Sequence, residues 1–287
     1  MPTRPRLPAL LPLLLLAACA TPPNKPFSDF DQATRKVQLS TGNTLERIQH
    51  NARLNAVLTA PNAPLNPDTF RLQTGSGASY DLAPALGQLQ ATLDTLALYA
   101  RTLNGLAGDR EAEARVDAAA QDLADSIQDL KRQGGNEDAA KILATAADAL
   151  GRQLTAAQRQ AALRKVMATA QPGLELLADN SHRALSMLPA YLTVIRDSLL
   201  RHANFSRPPY GSWQRYQFDL AIANRLRELE RIEAALQASD QAIQGFPAAN
   251  RQLLQNLDAP ASSLQALRAF AAEARRLRDF YRELPDK

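Results

Sequence analysis

The side chains best spaced to do chemistry in this chain are Glu175, Asp179 and His182, at positions i, i+4 and i+7. On a helix this spacing puts two carboxylates and an imidazole on one face, as three ligands for one metal. The signal is weak. A carboxylate-bridged two-metal site in a bundle draws Glu-x-x-His from two helices, and this chain has only Asp179-x-x-His182. A solvated polar face flanked by Arg183 accounts for the same residues. His50 and His202 have no partner at ligand spacing. There is no Gly-x-Ser-x-Gly nucleophile elbow, and the sole cysteine is Cys19. Gly75-Ser76-Gly77 is half of a dinucleotide loop, with Tyr80 in place of the third glycine. The expectation is a chain without catalytic residues, metal or cofactor. Only an active site assembled from distant helices would leave no local trace.

A second chemistry-bearing segment is Asn204–Phe218, which holds five of the fifteen aromatic residues, including the one tryptophan. Phe205, Tyr210, Trp213 and Tyr216 interleave with Arg201, His202, Arg207 and Arg215. Aromatic and arginine side chains together make hot spots for a protein partner, because they combine contact area with polar handles. The same mixture suits a lipid headgroup layer, and a tryptophan face also stacks on sugar rings. A plainer reading folds the aromatics back to close the end of a helical hairpin. Phe205, Arg207, Tyr210, Trp213, Arg215 and Tyr216 are the candidate partner-binding residues.

The N-terminal residues point to a location. Arg4 and Arg6 form a short positive region, and Leu7–Leu16 an apolar run too short and too interrupted by Pro8 and Pro12 to span a bilayer. Leu16-Ala17-Ala18-Cys19 then closely resembles the lipobox of bacterial lipoproteins. The resemblance covers residues 1–19. It implies a signal peptide over 1–18 and a diacylglyceryl thioether on Cys19. It also implies N-acylation, as with palmitate, of the amine released by cleavage. Several acyl chains anchor stably where one is marginal. In enteric members an aspartate after the cysteine retains the protein at the inner membrane. Ala20 stands there, which implies the outer membrane, facing the periplasm, with surface exposure as the alternative.

Without residues 1–18 the chain carries 31 basic and 29 acidic residues, a net charge of +2. This mixed balance argues against nucleic acid, which selects a concentrated basic stripe. With Cys19 acylated no disulfide can form, so the apolar core must hold the fold. Alanine, leucine, glutamine and arginine dominate over β-branched and aromatic residues, the composition of closely packed helices.

The elements follow from periodicity and punctuation. Residues 19–28 read as the anchor and a proline-rich tether. Ser28 or Asp29 should cap a helix to about Ala60 with the stripe Phe30, Val37, Thr41, Leu45, Ile48 and Ala52. A long loop over 62–79 contains the strand-like run Thr69–Leu72. The clearest seam is Leu82, Leu86, Leu89, Leu93, Leu96, Ala100 and Leu103, at unbroken 4-3 spacing. Its hairpin partner carries Ala112, Val116, Ala119, Leu123, Ile127 and Leu130. Gly134-Gly135 should end that helix, and Asn136 cap one running to about Leu150. Further helices are expected from Thr155, from a restart at Pro172 with a kink at Pro189, from the Pro208-Pro209 break to Gln244, and from there to about Leu257. The last begins at the capping box Ser262–Gln265, with Leu264, Leu267, Phe270, Ala274, Leu277 and Phe280 or Tyr281 as its stripe.

The expected fold is therefore all-α, an elongated antiparallel bundle of about seven to eight helices over 29–287, with a potential sub-boundary near 134–155. The expected function is a lipid-anchored, non-enzymatic envelope adaptor that binds an envelope protein. A membrane-active helical protein is the first alternative, although no stretch after Cys19 approaches the roughly 20 apolar residues of a span. A peptidoglycan- or glycan-binding protein, or a cell-wall enzyme, is the second.

Overall fold

A computed structural model describes residues 24–59, 72–73, 79–80, 82–108, 113–148, 156–258 and 264–282. Cys19, the Gly75–Gly77 turn, Thr155 and the serines of the capping box lie outside the described residues. Seven helices appear among those described. They are α1 (Asn24–Thr59), α2 (Ala83–Ala107), α3 (Glu113–Arg132), α4 (Glu137–Asp148), α5 (Ala156–Ser206), α6 (Trp213–Asp258) and α7 (Gln265–Arg282). A two-residue antiparallel ladder, β1 (Leu72–Gln73) with β2 (Ser79–Tyr80), pairs Leu72 with Tyr80. The fold is an all-α helical bundle.

Every residue of the expected α1 stripe and of the α2 leucine seam is buried. So are Ala119, Leu123, Ile127 and Leu130 of α3, and Leu267, Phe270, Ala274 and Leu277 of α7. α1 starts at Asn24, ahead of the expected Ser28 or Asp29. Pro26 falls in the first turn, where no N–H is needed, and Phe27 is 1% exposed, so burial draws these residues into the helix. α3 closes in a Schellman motif: Gly134 adopts φ 74°, and the Gly135 amide donates to the Leu130 carbonyl at 2.8 Å. Asn136 caps α4, its Oδ1 accepting from the Ala139 amide at 2.9 Å.

Two expected breaks do not occur. α5 is a continuous helix of 51 residues with Pro172 and Pro189 inside it, and α6 one of 46 residues containing Pro247. A proline inside a helix costs about 3 kcal/mol or more. Met167 and Ala170 before Pro172, and Leu174 and Leu177 after it, are all buried. Phe246, Ala249 and Leu253 do the same around Pro247. Large buried side chains contribute about 1.5–3 kcal/mol each, so packing in one continuous register outweighs the lost hydrogen bond.

α1 lies at the centre, packed on α2, α5, α6 and α7, while α3 covers α2 and α4 covers α5. One apolar cluster draws on all seven helices, and includes Leu130 before, Ala139 and Leu143 within, and Leu163 after the 134–155 stretch. α4 approaches α5 closely at Gly173, where a Cβ would sit 3.2 Å from the Ala139 carbonyl. α1 and α6 are antiparallel, because Thr41 Oγ1 meets Ser239 at 3.0 Å and Arg47 meets Glu228 at 3.3 Å. The Asn24 end of α1 therefore lies beside the C-terminal half of α6, where Phe30 touches Phe246 with ring centroids 4.7 Å apart. The turn between α5 and α6 lies at the other end.

Candidate functional site

α5 and α6 form one long hairpin whose far end stands clear of the core. No residue between Ala203 and Leu229 is buried. The turn is built locally. Gly211 takes φ 77°, a conformation other residues avoid, and Ser212 caps α6 by accepting from the Arg215 amide at 3.1 Å. Ser212 Oγ also donates to the Pro209 carbonyl at 2.9 Å.

The aromatics of this end do not fold back. Phe205 and Tyr210 are each 93% exposed, Trp213 66% and Tyr216 57%. Trp213 and Tyr216 stack with centroids 5.1 Å apart and planes 24° from parallel. With Leu220, also exposed, they occupy positions i, i+3 and i+7, one face over the first two turns of α6. The Arg215 guanidinium lies 5.5 Å from the Tyr210 ring centroid. Arg207 donates to Asp219 through Nε at 2.8 Å and Nη2 at 2.6 Å, and Arg215 Nε stands 3.6 Å from the same carboxylate. The Arg207 hydrogen bonds, and then the charges of both arginines, hold the Asp219 carboxyl below its usual range. The six candidate residues are thus gathered on one protruding hairpin end, preset by a shared carboxylate, with their apolar surface in solvent.

Glu175, Asp179 and His182 are not brought together around a common point. Glu175 turns to Gln171, which donates from Nε2 at 2.7 Å, and to Arg251 of α6. The Gln171 hydrogen bond is the main reason its carboxyl titrates below the usual range, and Arg251 adds to it against the effect of burial. His182 Nδ1 lies 2.9 Å from both Asp240 oxygens across the hairpin, and Asp179 is exposed. Among the described residues no group of three His, Cys, Asp or Glu side chains could hold a metal.

The sequence reading missed a buried polar chain at the other end of the hairpin. Tyr99 of α2 donates to Asn250 Oδ1 at 2.8 Å, and Asn250 Nδ2 donates to Gln171 Oε1 at 2.9 Å. Gln171 Nε2 passes the chain on to Glu175 and also to the Pro247 carbonyl at 3.2 Å. Burial pushes the Tyr99 phenol well above its ordinary range, with the Asn250 bond acting against that shift. One signal was present: Asn250 occupies a seam position among Phe246, Leu253 and Leu257.

A polar groove of about 790 Å³ lies between α1, α2 and α3. Its aspartates are already engaged. Asp94 accepts from Gln38 at 2.7 Å and Gln90 at 2.9 Å, Asp125 accepts from Gln121 at 3.1 Å, and Asp129 pairs with Arg132. Among the described residues no helix is long and apolar enough to cross a membrane. No protein-family model, curated protein or solved structure matches the chain.

Proposed function

We propose that this protein is a lipid-anchored, non-enzymatic adaptor of the cell envelope that holds a protein-binding hairpin end away from its membrane. In this reading Cys19 carries the acyl chains in the outer membrane, the bundle faces the periplasm, and residues 205–216 meet an envelope protein. The observation that carries it is the polarity of the rod. In the sequence Cys19 stands five residues before Asn24, and the Asn24 end of α1 lies opposite the hairpin turn. With 46 residues at 1.5 Å each, α6 alone spans about 69 Å. An anchor at one end and exposed aromatics at the other suit a part that links two things.

Two experiments test the proposal. Cys19→Ser should abolish acyl labelling and leave unprocessed precursor; labelling that persists would remove the anchor. The lipidated protein, solubilised from its own envelope, should bring down a specific partner. The Trp213→Ala/Tyr216→Ala variant should lose that partner while its unfolding transition stays in place. Equal capture by both proteins would reject the hairpin end as the site.

A further inference from the structure

We infer that the partner surface recognised by the hairpin end is acidic and concave, with an apolar floor. This rests on the adaptor reading above and specifies the chemistry of its contact. Between Arg201 and Glu228 the chain carries five arginines against two acids, Asp219 and Glu228. The remainder of residues 19–287 has 26 basic and 27 acidic residues, so the positive charge of the chain is concentrated here.

The two acids offset only part of that charge at the contact surface. Glu228 turns inward to Arg47 and Asn51 of α1, and Asp219 is shared by Arg207 and Arg215. Arg201 and Arg227 are exposed and have no carboxylate partner among the described residues. A guanidinium binds carboxylates in bidentate fashion, so these two arginines ask for Asp or Glu on the other side.

The layout selects a concave protein surface. From Trp213 to Arg227 is 14 residues, about 21 Å along the helix. A flat layer meeting the end of the rod would reach only the turn. A surface that wraps the end reaches both the Trp213–Tyr216–Leu220 face and the arginines below it. The aromatic face then fills an apolar floor while the carboxylates stand on the rim, the usual division of an interface.

The test uses the full-length lipidated protein in its own envelope, with the photo-crosslinker p-benzoylphenylalanine replacing Tyr210. Irradiation should give one protein adduct whose cross-linked peptide is rich in Asp and Glu. Reversing the two unpaired arginines (Arg201→Glu with Arg227→Glu) should lower its yield about tenfold, as removal of charge steering predicts. Unfolding of that variant is followed in parallel, and both side chains are exposed, so its fold should persist. A protein adduct on a neutral or basic peptide, or one indifferent to charge reversal, would overturn the acidic surface and leave the adaptor reading standing. Adducts only with lipid, with glycan or with a second copy of the chain, or no adduct, would overturn both.

Discussion

The two ends of the α5–α6 hairpin are made from the same pair of helices and solve opposite problems. Near Pro172 and Pro247 each member of the Tyr99–Asn250–Gln171–Glu175 chain is hydrogen-bonded to the next. Around Gly211 the largest side chains face water. A buried polar network is costly to leave half satisfied, so its residues act on stability. Exposed aromatics contribute little to stability, and the proposed function gives them the contact with a partner. The contrast separates residues that hold the rod from residues that, in the proposed function, make its contact.

That separation can be broken or sharpened by substitutions of decreasing expected effect. Phe246→Ala should be the most damaging. Its ring meets Phe30 and Phe270 and lies 6.3 Å from Tyr99, and such truncations cost about 3–5 kcal/mol. Denaturant unfolding measures it, and a loss below about 1 kcal/mol would mean that the base is not the core it resembles. Asn250→Ala removes the partners of the Tyr99 hydroxyl and of Gln171 Oε1, and should cost about 1–3 kcal/mol. Tyr99→Phe combined with Asn250→Ala should cost less than the sum of the two changes, as a double-mutant cycle would show.

Glu175 gives a smaller, pH-dependent effect. Its folded-state pKa is lowered, so its contribution is present above the unfolded carboxylate pKa and is lost as pH falls through the folded value. The stability difference between wild type and Glu175→Gln should therefore hold from neutral pH down to the unfolded carboxylate pKa and shrink only below it. A constant difference would assign the effect to packing alone. Trp213→Ala with Tyr216→Ala comes last, with a stability change expected within about 0.5 kcal/mol. A loss comparable to that of Asn250→Ala would make the hairpin end a structural element and erase the comparison.

Much of the fold was legible because its signals are local. The 4-3 leucine seam from Leu82 to Leu103, the Gly134-Gly135 stop and the Asn136 cap each act over one or two turns, and each appears where its spacing puts it. The prolines were misleading for a related reason. Proline is a local breaker, but at Pro172 and Pro247 its effect is set against side chains from other helices, which the local pattern does not contain. The candidate site divides the same way. The density of aromatics and arginines over 204–218 was visible, and that they face solvent instead of closing the bundle was not.

The chain by itself determined the helical class, the faces of the helices and the segment where aromatic and basic side chains collect. These follow from periodicity, caps and composition, which are properties of neighbouring residues. Tertiary structure alone decided that α5 and α6 run unbroken, and that Tyr99, Asn250 and Gln171 meet across a sequence separation of 151 residues between Tyr99 and Asn250. It alone assigned Glu175 to Arg251 and His182 to Asp240 in place of a shared site, and carried the 204–218 segment to the end of a rod opposite Asn24. These outcomes depend on which helices pack together, and long-range burial, unlike a cap or a turn, has no counterpart in local spacing.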